Sequence, residues 1–271
     1  MSGFAGRIAV VTGAGSGIGR ALARDLARRG ARLALSDVDE EGLATTVADL
    51  GSADVRADVL DVTDRAAVLA YAHEVAGHFG RVNQVYNNAG IAFAGNVLTS
   101  TFEQIEKVVD VDFWGVVHGT KAFLPHLIAS GDGHVVNISS LFGLLAVPSQ
   151  SAYNAAKFAV RGFTESLRQE MLLAKHPVRV TCVHPGGVRT AIARNAMRGD
   201  GFTDGSHVER FERTMLRMRP QDAAATILAG VRRDRARILV GTDARVLDAL
   251  VRLLGSAYQR PLAFVAGRRL S

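Results

Sequence analysis

The 271-residue sequence is poor in cysteine, in lysine and in long apolar runs. Its single cysteine, Cys182, cannot form an intramolecular disulfide, which is typical of a reducing compartment and favours a cytoplasmic location. Because Cys182 lies in the apolar run VRVTCVHP, we interpret it as a buried core thiol and not as a nucleophile. No window reaches about 18 uninterrupted apolar residues, so no transmembrane segment is expected. The N-terminus reaches a strand pattern at once and shows no signal peptide.

Positive charge is carried almost entirely by arginine. The chain has 32 basic and 26 acidic residues, a formal net charge of +6, and the lysines are Lys107, Lys121, Lys157 and Lys175. The basic residues are spread along predicted helices without interleaved aromatics, so no nucleic-acid reader motif is recognised. The densest cluster, RRDRAR at 232–237, is interpreted as a solvated surface. We therefore expect no nucleic-acid partner.

Short apolar runs rich in β-branched residues alternate with longer helical patterns. The predicted strands are 8–11, 32–36, 53–56, 83–87, 134–138, 178–184 and 237–240. The predicted helices are 17–29, 40–50, 64–79, 102–129, 151–175 and 220–232. Strands that alternate with helices and are apolar throughout predict a parallel sheet covered on both faces. We expect one α/β domain over 1–271, a doubly wound Rossmann-type sheet of about seven strands.

Two regions break this alternation. Residues 185–219 predict a long irregular insertion with a short helix near 206–218, and loops of this length commonly bind substrates. Residues 243–271 predict an amphipathic helix that runs through Pro261 into an apolar and then basic tail. We expect this C-terminal part to dock on its own domain or on a partner subunit, in preference to a membrane.

A glycine-rich turn, TGAGSGIG at 12–19, follows the first predicted strand and opens the first helix. Glycine permits a ligand to approach the backbone closely, and the helix N-terminus offers free N–H groups to a diphosphate. Because Arg20 follows Gly19, the turn lacks the lysine and hydroxyl of a phosphate-transferring loop. The turn therefore predicts dinucleotide binding.

Asp37 ends the second predicted strand and bears on the choice of dinucleotide. A carboxylate there accepts hydrogen bonds from the adenine-ribose diol and repels a 2′-phosphate. Ser16 and Val38, which flank the expected phosphate position, carry no positive charge. The sequence thus favours NAD over NADP as the cofactor.

The stretch SAYNAAKFAVRG puts Tyr153 and Lys157 four residues apart, on one face of a predicted helix. A helix surface on which the ring packs against the lysine stem is one interpretation. Acid–base chemistry is the other, because a nearby cation favours the phenolate and lowers the pKa of a tyrosine.

Seven short motifs occur together in one order and spacing. They are TGAGSGIG (12–19), Asp37, LDVTD (60–64), NNAG (87–90), NISS (137–140), YNAAK (153–157) and PGGVRT (185–190). In this arrangement the sequence resembles the short-chain dehydrogenase/reductase family. The resemblance implies a Rossmann-type sheet, a nicotinamide dinucleotide cofactor and reversible hydride transfer between a secondary alcohol and a ketone.

The resemblance also implies roles for individual residues. Tyr153 would be the general acid/base, Ser140 would hold the substrate oxygen, and Lys157 would lower the pKa of the tyrosine and bind the nicotinamide ribose. Ser139 is the lesser candidate for the serine. The implied cofactor-binding residues are Gly13, Ser16, Ile18, Gly19, Asp37, Asp61, Val62, Asn88, Ala89, Gly90, Tyr153, Lys157, Pro185, Gly186, Val188 and Thr190. No metal is implied.

The sequence departs from the family at two places. Asp112 stands where the family usually has an asparagine whose main-chain carbonyl holds a water in the lysine's proton relay; a main-chain role survives the change, so we expect an active enzyme. A carboxylate there would strengthen the charge on Lys157, or titrate upward if buried. The C-terminal helix replaces the glycine-rich strand of tetrameric relatives, so we expect a homodimer through helices 102–129 and 151–175, with a tetramer as the alternative.

Apolar residues near the expected reaction centre predict a lipophilic small-molecule alcohol or ketone as substrate. They are Phe93, Phe142, Leu144, Leu145 and Val147, with Ala191, Ile192, Met197, Met215 and Met218 from the insertion. The alternative is that several are simply core. Two rival functions are a dinucleotide-binding regulatory protein that has lost catalysis and a methyltransferase, although the second leaves YNAAK and NNAG unexplained.

Overall fold

A computed structural model of the chain describes residues 3–192, 195–199 and 216–270. Its main sheet has seven strands: β1 (Ile8–Thr12), β2 (Arg32–Asp37), β3 (Val55–Val59), β4 (Gln84–Asn87), β6 (Gly133–Ile138), β7 (Val178–Pro185) and β9 (Arg237–Val240). All are parallel, in the order β3-β2-β1-β4-β6-β7-β9. The order reverses between β1 and β4, which opens a crevice at the carboxyl ends of the strands.

Helices cover both faces of the sheet, which confirms the predicted doubly wound α/β fold. They are α1 (Gly17–Arg28), α2 (Glu40–Ala48), α3 (Arg65–Phe79), α4 (Phe102–Val109), α5 (Gly115–Ala129), α6 (Ser151–Leu173), α7 (Pro220–Arg232), α8 (Thr242–Leu254) and α9 (Gln259–Leu270). Alternate residues of β1 face opposite cores: Val11 packs beneath α1 and α7, and Val10 beneath α3, α5 and α6. Within the described ranges, no helix is long and apolar enough to cross a membrane.

Two predicted elements are wrong in detail. The third strand runs over Val55–Val59, not 53–56, because this edge strand is only partly buried and its alternating polar residues obscure the apolar pattern. The helix predicted at 102–129 is interrupted by a π-helical turn, Asp110–Trp114, which carries Asp112. Such turns widen a helix locally and are frequent at functional sites.

The C-terminal part is more ordered than the predicted tail. A 3-10 turn, Gly255–Tyr258, follows α8 and leads into α9, so Pro261 lies in the first turn of a helix, where its missing N–H costs no hydrogen bond. Ala244 and Leu247 of α8 pack against the loop that follows β6. Part of the C-terminal region therefore packs on its own domain, one of the two expected arrangements, and a contact with a partner subunit stays a prediction.

A separate two-stranded parallel sheet joins the insertion to the segment that follows β4. It pairs β5 (Phe93–Ala94) with β8 (Met197–Arg198), neither of which the sequence predicts, because each is two residues long. The helix predicted near 206–218 lies mostly outside the described residues, as does Met215.

Large apolar side chains project from the helices that were expected to form a dimer contact. The exposed fraction is 80% for Phe102, 67% for Leu172 and 87% for Leu173, while Trp114 and Phe158 are partly exposed. These side chains leave an apolar face on α4 and α6, and the homodimer through that face stays a prediction.

Candidate active site

The glycine-rich turn and the NNAG segment are joined side by side at the carboxyl ends of β1 and β4. The Thr12 hydroxyl accepts hydrogen bonds from the main-chain N–H groups of Asn88 and Ala89 at 3.0 and 3.1 Å. The Asn88 side chain donates to the carbonyls of Thr12 and Gly13 at 3.0 and 3.1 Å. A Cβ on Gly19 would lie 2.0 Å from the Gly13 carbonyl oxygen, so this position requires glycine. The two segments therefore form one rigid backbone surface.

Asp37 is turned toward that surface. Its carboxylate accepts hydrogen bonds from the N–H groups of Gly15 and Asp39 at 2.7 and 3.0 Å. Each carboxylate oxygen has a second lone pair, so Asp37 keeps the capacity to accept from a ligand hydroxyl. Arg20, which sequence reasoning treated only as the end of a motif, donates to the carbonyls of Gly15 and Gly42 and so fixes the turn from behind.

The remaining predicted cofactor residues divide into exposed and packed groups. The Asp61 carboxylate accepts two hydrogen bonds from Thr63, which together with Lys107 lower its pKa against the opposing effect of burial. Val62 is 7% exposed and its side chain occupies the space beside Gly115, so that side chain serves packing. Thr190 lines the same cleft as Ser16 and brings the segment after β7 to the glycine-rich turn.

Two adjacent serines follow β6 and have different surroundings. Ser139 is buried, and its hydroxyl donates to the main-chain carbonyl of Lys157 at 2.8 Å. The Ser140 hydroxyl accepts from the N–H of Phe142 at 3.1 Å, which leaves its proton free to be donated. Ser139 is thus engaged in joining β6 to α6, and Ser140 is the serine that presents a hydroxyl.

Tyr153, near the start of α6, faces Ser140. Burial raises the pKa of Tyr153; Lys157 and a hydrogen bond with Ser140 lower it, and Asp112 raises it further, with a net increase. The Lys157 Nζ atom lies 5.5 Å from the centre of the tyrosine ring. The protein's own groups therefore do not bring the phenol to a pKa near neutrality, although Lys157 acts in the expected direction.

Lys157 and Asp112 form a buried ion pair next to the tyrosine. Nζ lies 3.5 Å from Asp112 Oδ2, and the two side chains are 4% and 0% exposed. Asp112 Oδ1 accepts from the N–H of Ile91 at 2.8 Å, while Oδ2 has no hydrogen bond from any described residue. Burial raises the pKa of Asp112 against the attraction of Lys157. Burial also lowers the pKa of Lys157, but Asp112 and Tyr153 outweigh it and the pKa is raised.

His184 lies near the end of β7 and contacts the main chain of Ser140. The sequence did not predict a role for it. Its Nδ1 lies 2.9 Å from the Ser140 carbonyl oxygen, and because a carbonyl can only accept, Nδ1 carries the proton. Burial lowers the pKa of His184 to about 4, so the ring is neutral near pH 7. A histidine inside a buried strand shows no sequence signal for this contact.

The apolar residues predicted around the reaction centre fall into two groups. Phe142 stacks edge-on against Tyr153 with ring centres 6.2 Å apart, and Phe93 and Met197 belong to the cluster that contains Tyr153. Leu144, Leu145 and Val147 instead pack toward α8 and α9, and Met218 packs on the main core. The structure therefore assigns the second group to packing.

Comparison with known proteins shows the family to which the chain belongs. The sequence profile of the family described as short chain dehydrogenase matches residues 7–200. The chain is 63% identical over 265 residues to the Mycobacterium tuberculosis protein named "Putative oxidoreductase SadH", across 97% of this chain and 96% of that protein. It is 37% identical over 200 residues to levodione reductase of Leifsonia aquatica, across 72% and 74% of the two chains.

A solved structure is similar over almost the whole fold. It is the crystal structure of a short-chain dehydrogenase/reductase from Burkholderia phymatum in complex with NAD, with a TM-score of 0.86, 32% identity and coverage of 96% of this chain and 97% of that one. Profile, relatives and fold lead to the same assignment. The chain belongs to the short-chain dehydrogenase/reductase family of oxidoreductases.

Proposed function

We propose that the protein interconverts a lipophilic secondary alcohol and its ketone, with NAD as cofactor and Tyr153 as the general acid/base. The observation that carries the proposal is the convergence of Ser140, Tyr153 and Lys157 at the carboxyl end of the sheet, where Lys157 lies next to Gly90 of the NNAG segment. Three side chains from two elements meet there with an available hydroxyl, a phenol and a charged amine. This set suits a reaction in which a substrate oxygen gains or loses charge and a proton.

The residues present fit a nicotinamide dinucleotide. The glycines let the turn, the NNAG segment and Asp112 pack closely: a Cβ on Gly13 would lie 2.7 Å from Ala89 Cα, and one on Gly90 would lie 2.9 Å from Asp112 Oδ1. Ser16, Gly17 and Thr190 line a cleft beside the turn. Gly13, Ser16, Ile18 and Gly19 would hold the diphosphate and the adenosine ribose. Of the other residues implied by the family, Pro185, Gly186, Val188 and Thr190 would frame the nicotinamide end. When bound, the cofactor accepts or supplies the hydride.

The chain's own residues manage the oxygen and its proton. Ser140, whose oxygen is oriented by the Phe142 N–H, would donate a hydrogen bond to the substrate oxygen and hold that oxygen in place. Tyr153 gives its phenolic proton to that oxygen in ketone reduction and takes it back in alcohol oxidation. Lys157 stays positive because Asp112 and Tyr153 outweigh the effect of burial on its pKa, and its charge stabilises the phenolate.

The carboxylate of Asp112 sets the pH range of this proton transfer. Its negative charge raises the pKa of both Tyr153 and Lys157, so Asp112→Asn lowers both. Oxidation needs the phenolate and the charged lysine, and we therefore expect both limbs of the pH profile of kcat to move to lower pH. Initial rates between about pH 6 and 11.5 measure this shift, because the window has to extend above the ordinary pKa values of tyrosine and lysine, both of which are raised here.

Asp110→Asn is the matched control, because Asp110 is an exposed residue of the same π-helical turn. We expect its pH profile to coincide with that of the wild type. If the pH profiles of kcat of Asp112→Asn and Asp110→Asn coincide, the Asp112 carboxylate does not couple to the acid/base group. A shift of the Asp112→Asn profile to higher pH would lead to the same conclusion.

The substrate class is tested with a homologous series of alcohols. Phe142 and Met197 lie beside Tyr153 with partly exposed side chains, so each added methylene should gain up to about 0.8 kcal/mol, or up to about fourfold in kcat/KM, as it leaves water. The series runs from propan-2-ol to octan-2-ol with NAD⁺. A value of kcat/KM that does not change with chain length would refute the lipophilic pocket.

The choice of cofactor is tested with the same alcohols. With NADP⁺ we expect kcat/KM to be at least about tenfold lower than with NAD⁺, because Asp37 repels the 2′-phosphate. Equal kcat/KM with the two cofactors would refute the role of Asp37.

The rival function, a regulatory protein without catalysis, gains no support from Asp112. The carboxylate stands beside a charged lysine and does not displace it, and Ser140 and Tyr153 keep their hydroxyls facing one another. Asp112 in place of the family's asparagine leaves Ser140, Tyr153 and Lys157 intact, so we expect the protein to retain turnover.

A further inference from the structure

Asp243 lies in the first turn of α8 and places its carboxylate among glycines. Oδ2 accepts a hydrogen bond from the N–H of Gly187 at 2.7 Å. A Cβ on Gly186 would lie 2.3 Å from both carboxylate oxygens, and a Cβ on Gly241 would lie 2.3 Å from Oδ1. Both chain segments therefore need glycine in order to admit this carboxylate.

The segment that Asp243 holds is fixed on its other sides by main-chain groups. The Gly187 carbonyl accepts from the N–H groups of Arg217 and Met218, each at 3.0 Å, and the Gly186 N–H donates to Val240 at 2.9 Å. Asp243 thus supplies the side-chain contact in a set of bonds that is otherwise made by backbone. Removing its carboxylate leaves the Gly187 N–H without its acceptor while the rest of the set remains.

The same C-terminal region also contacts the catalytic serine's loop. Ala244 and Leu247 pack against Leu141 and its neighbours, directly after Ser140. The Tyr258 hydroxyl accepts from the N–H of Ala146 at 3.0 Å. One helical segment therefore holds both the loop after β7 and the loop after β6, on the two sides of the proposed reaction centre.

We propose that Asp243 is a positioning residue for the nicotinamide end of the cofactor, acting through Gly187. The inference rests on the proposed function, in which the segment from Pro185 to Val188 frames the nicotinamide. By holding the Gly187 N–H, Asp243 fixes the direction of the adjoining peptide groups, so its loss weakens binding of the nicotinamide half and leaves binding of the adenosine half intact. A purely structural role, such as favouring the N-terminus of α8, would affect both halves alike.

Two ligands separate these roles. NADH contains the whole cofactor, and ADP-ribose lacks only the nicotinamide ring, the part that the segment from Pro185 to Val188 would frame. For Asp243→Ala we expect the Kd of NADH to rise about tenfold, the scale of a lost hydrogen bond to a charged acceptor, and the Kd of ADP-ribose to stay within about twofold. Asp243→Asn retains an oxygen acceptor, so we expect it to bind NADH within about threefold of the wild type. Fluorescence titration and calorimetry measure the two affinities.

Asp248→Ala is the matched control, since Asp248 lies on the same helix and pairs with Arg252. We expect it to bind both ligands like the wild type. If Asp243→Ala does not fold, Asp243→Ser removes the same carboxylate and carries the same expectation. A wild-type protein that binds neither ligand would overturn the proposed function itself. Equal losses for NADH and ADP-ribose, or no loss of NADH affinity, would overturn the role of Asp243 alone.

Discussion

We expect Tyr153→Phe to lower the rate of the proposed alcohol oxidation by about 100- to 10,000-fold, because it removes the group that we propose exchanges the proton with the substrate oxygen. The phenol lies between Ser140 and Lys157, and neither neighbour is suited to replace it. The serine hydroxyl is too weak a base near neutrality, and the lysine is held positive by Asp112. The loss should therefore appear in kcat.

Binding of the cofactor should survive this change, because the ring of Tyr153 remains. We expect NADH titrations of Tyr153→Phe to give a Kd within about threefold of the wild type, a change below about 1 kcal/mol. Tyr71→Phe removes the same hydroxyl from a tyrosine packed against Phe123 in the core beneath α3 and α5, and should retain full turnover. Residual activity of Tyr153→Phe above about one tenth of the wild type would rule out the tyrosine as acid/base.

Gly19→Ala should abolish binding of the dinucleotide. The added Cβ would lie 2.0 Å from the Gly13 carbonyl oxygen and 2.6 Å from the Asn88 amide nitrogen, and backbone cannot yield as a flexible side chain can. Relief of the clash moves the turn away from the NNAG segment and breaks the Asn88 hydrogen bond to Gly13. We expect an NADH Kd at least about 100-fold higher and an unfolding free energy lower by about 1–3 kcal/mol, the usual scale of overpacking.

Gly162→Ala tests whether the loss is specific to that site. Gly162 is also a helical glycine, on α6, but a Cβ added there would meet no described atom within 4 Å beyond its own stretch of helix. Alanine favours a helix over glycine by up to about 1 kcal/mol, so this variant should be as stable as the wild type or slightly more stable. Urea unfolding and NADH titration of both variants provide the comparison. Normal NADH affinity in Gly19→Ala would contradict the placement of the cofactor at this turn.

Much of the fold is predictable because buried parallel strands have an uninterrupted apolar pattern. The run from Ile8 to Val11 is apolar on both faces of the sheet, the run around Val180 is rich in buried valine, and the predicted ends of both lie within two residues of the observed ones. The edge strand Val55–Val59 is misplaced in the prediction because Arg56 and Asp58 interrupt its apolar residues and none of its residues is fully buried. The π-helical turn escapes prediction because it preserves the helical sequence pattern while changing the hydrogen bonds.

The proposed catalytic groups can be predicted where the number of residues between them already determines that they lie close together. Tyr153 and Lys157 are one turn apart on α6, and Ser140 follows a strand whose end points at the same crevice. The contacts of His184, Arg20 and Asp243 are not predictable in the same way, because their partners are main-chain groups outside the neighbouring turn or far along the chain. Main-chain groups are the same in every residue, so the sequence does not show which of them is the partner. The partners here are the Ser140 carbonyl, the Gly15 carbonyl and the Gly187 N–H.

Transfer of deuterium tests the proposed hydride chemistry most directly. The protein is incubated with NAD⁺ and a racemic octan-2-ol that carries deuterium on the carbinol carbon, and the reduced cofactor is examined by mass spectrometry. We predict a reduced cofactor that contains one deuterium, formed by Tyr153→Phe at least about 100-fold more slowly than by the wild type. Binding of NADH without any deuterium transfer, from this alcohol and from the shorter members of the series, would contradict the proposed function.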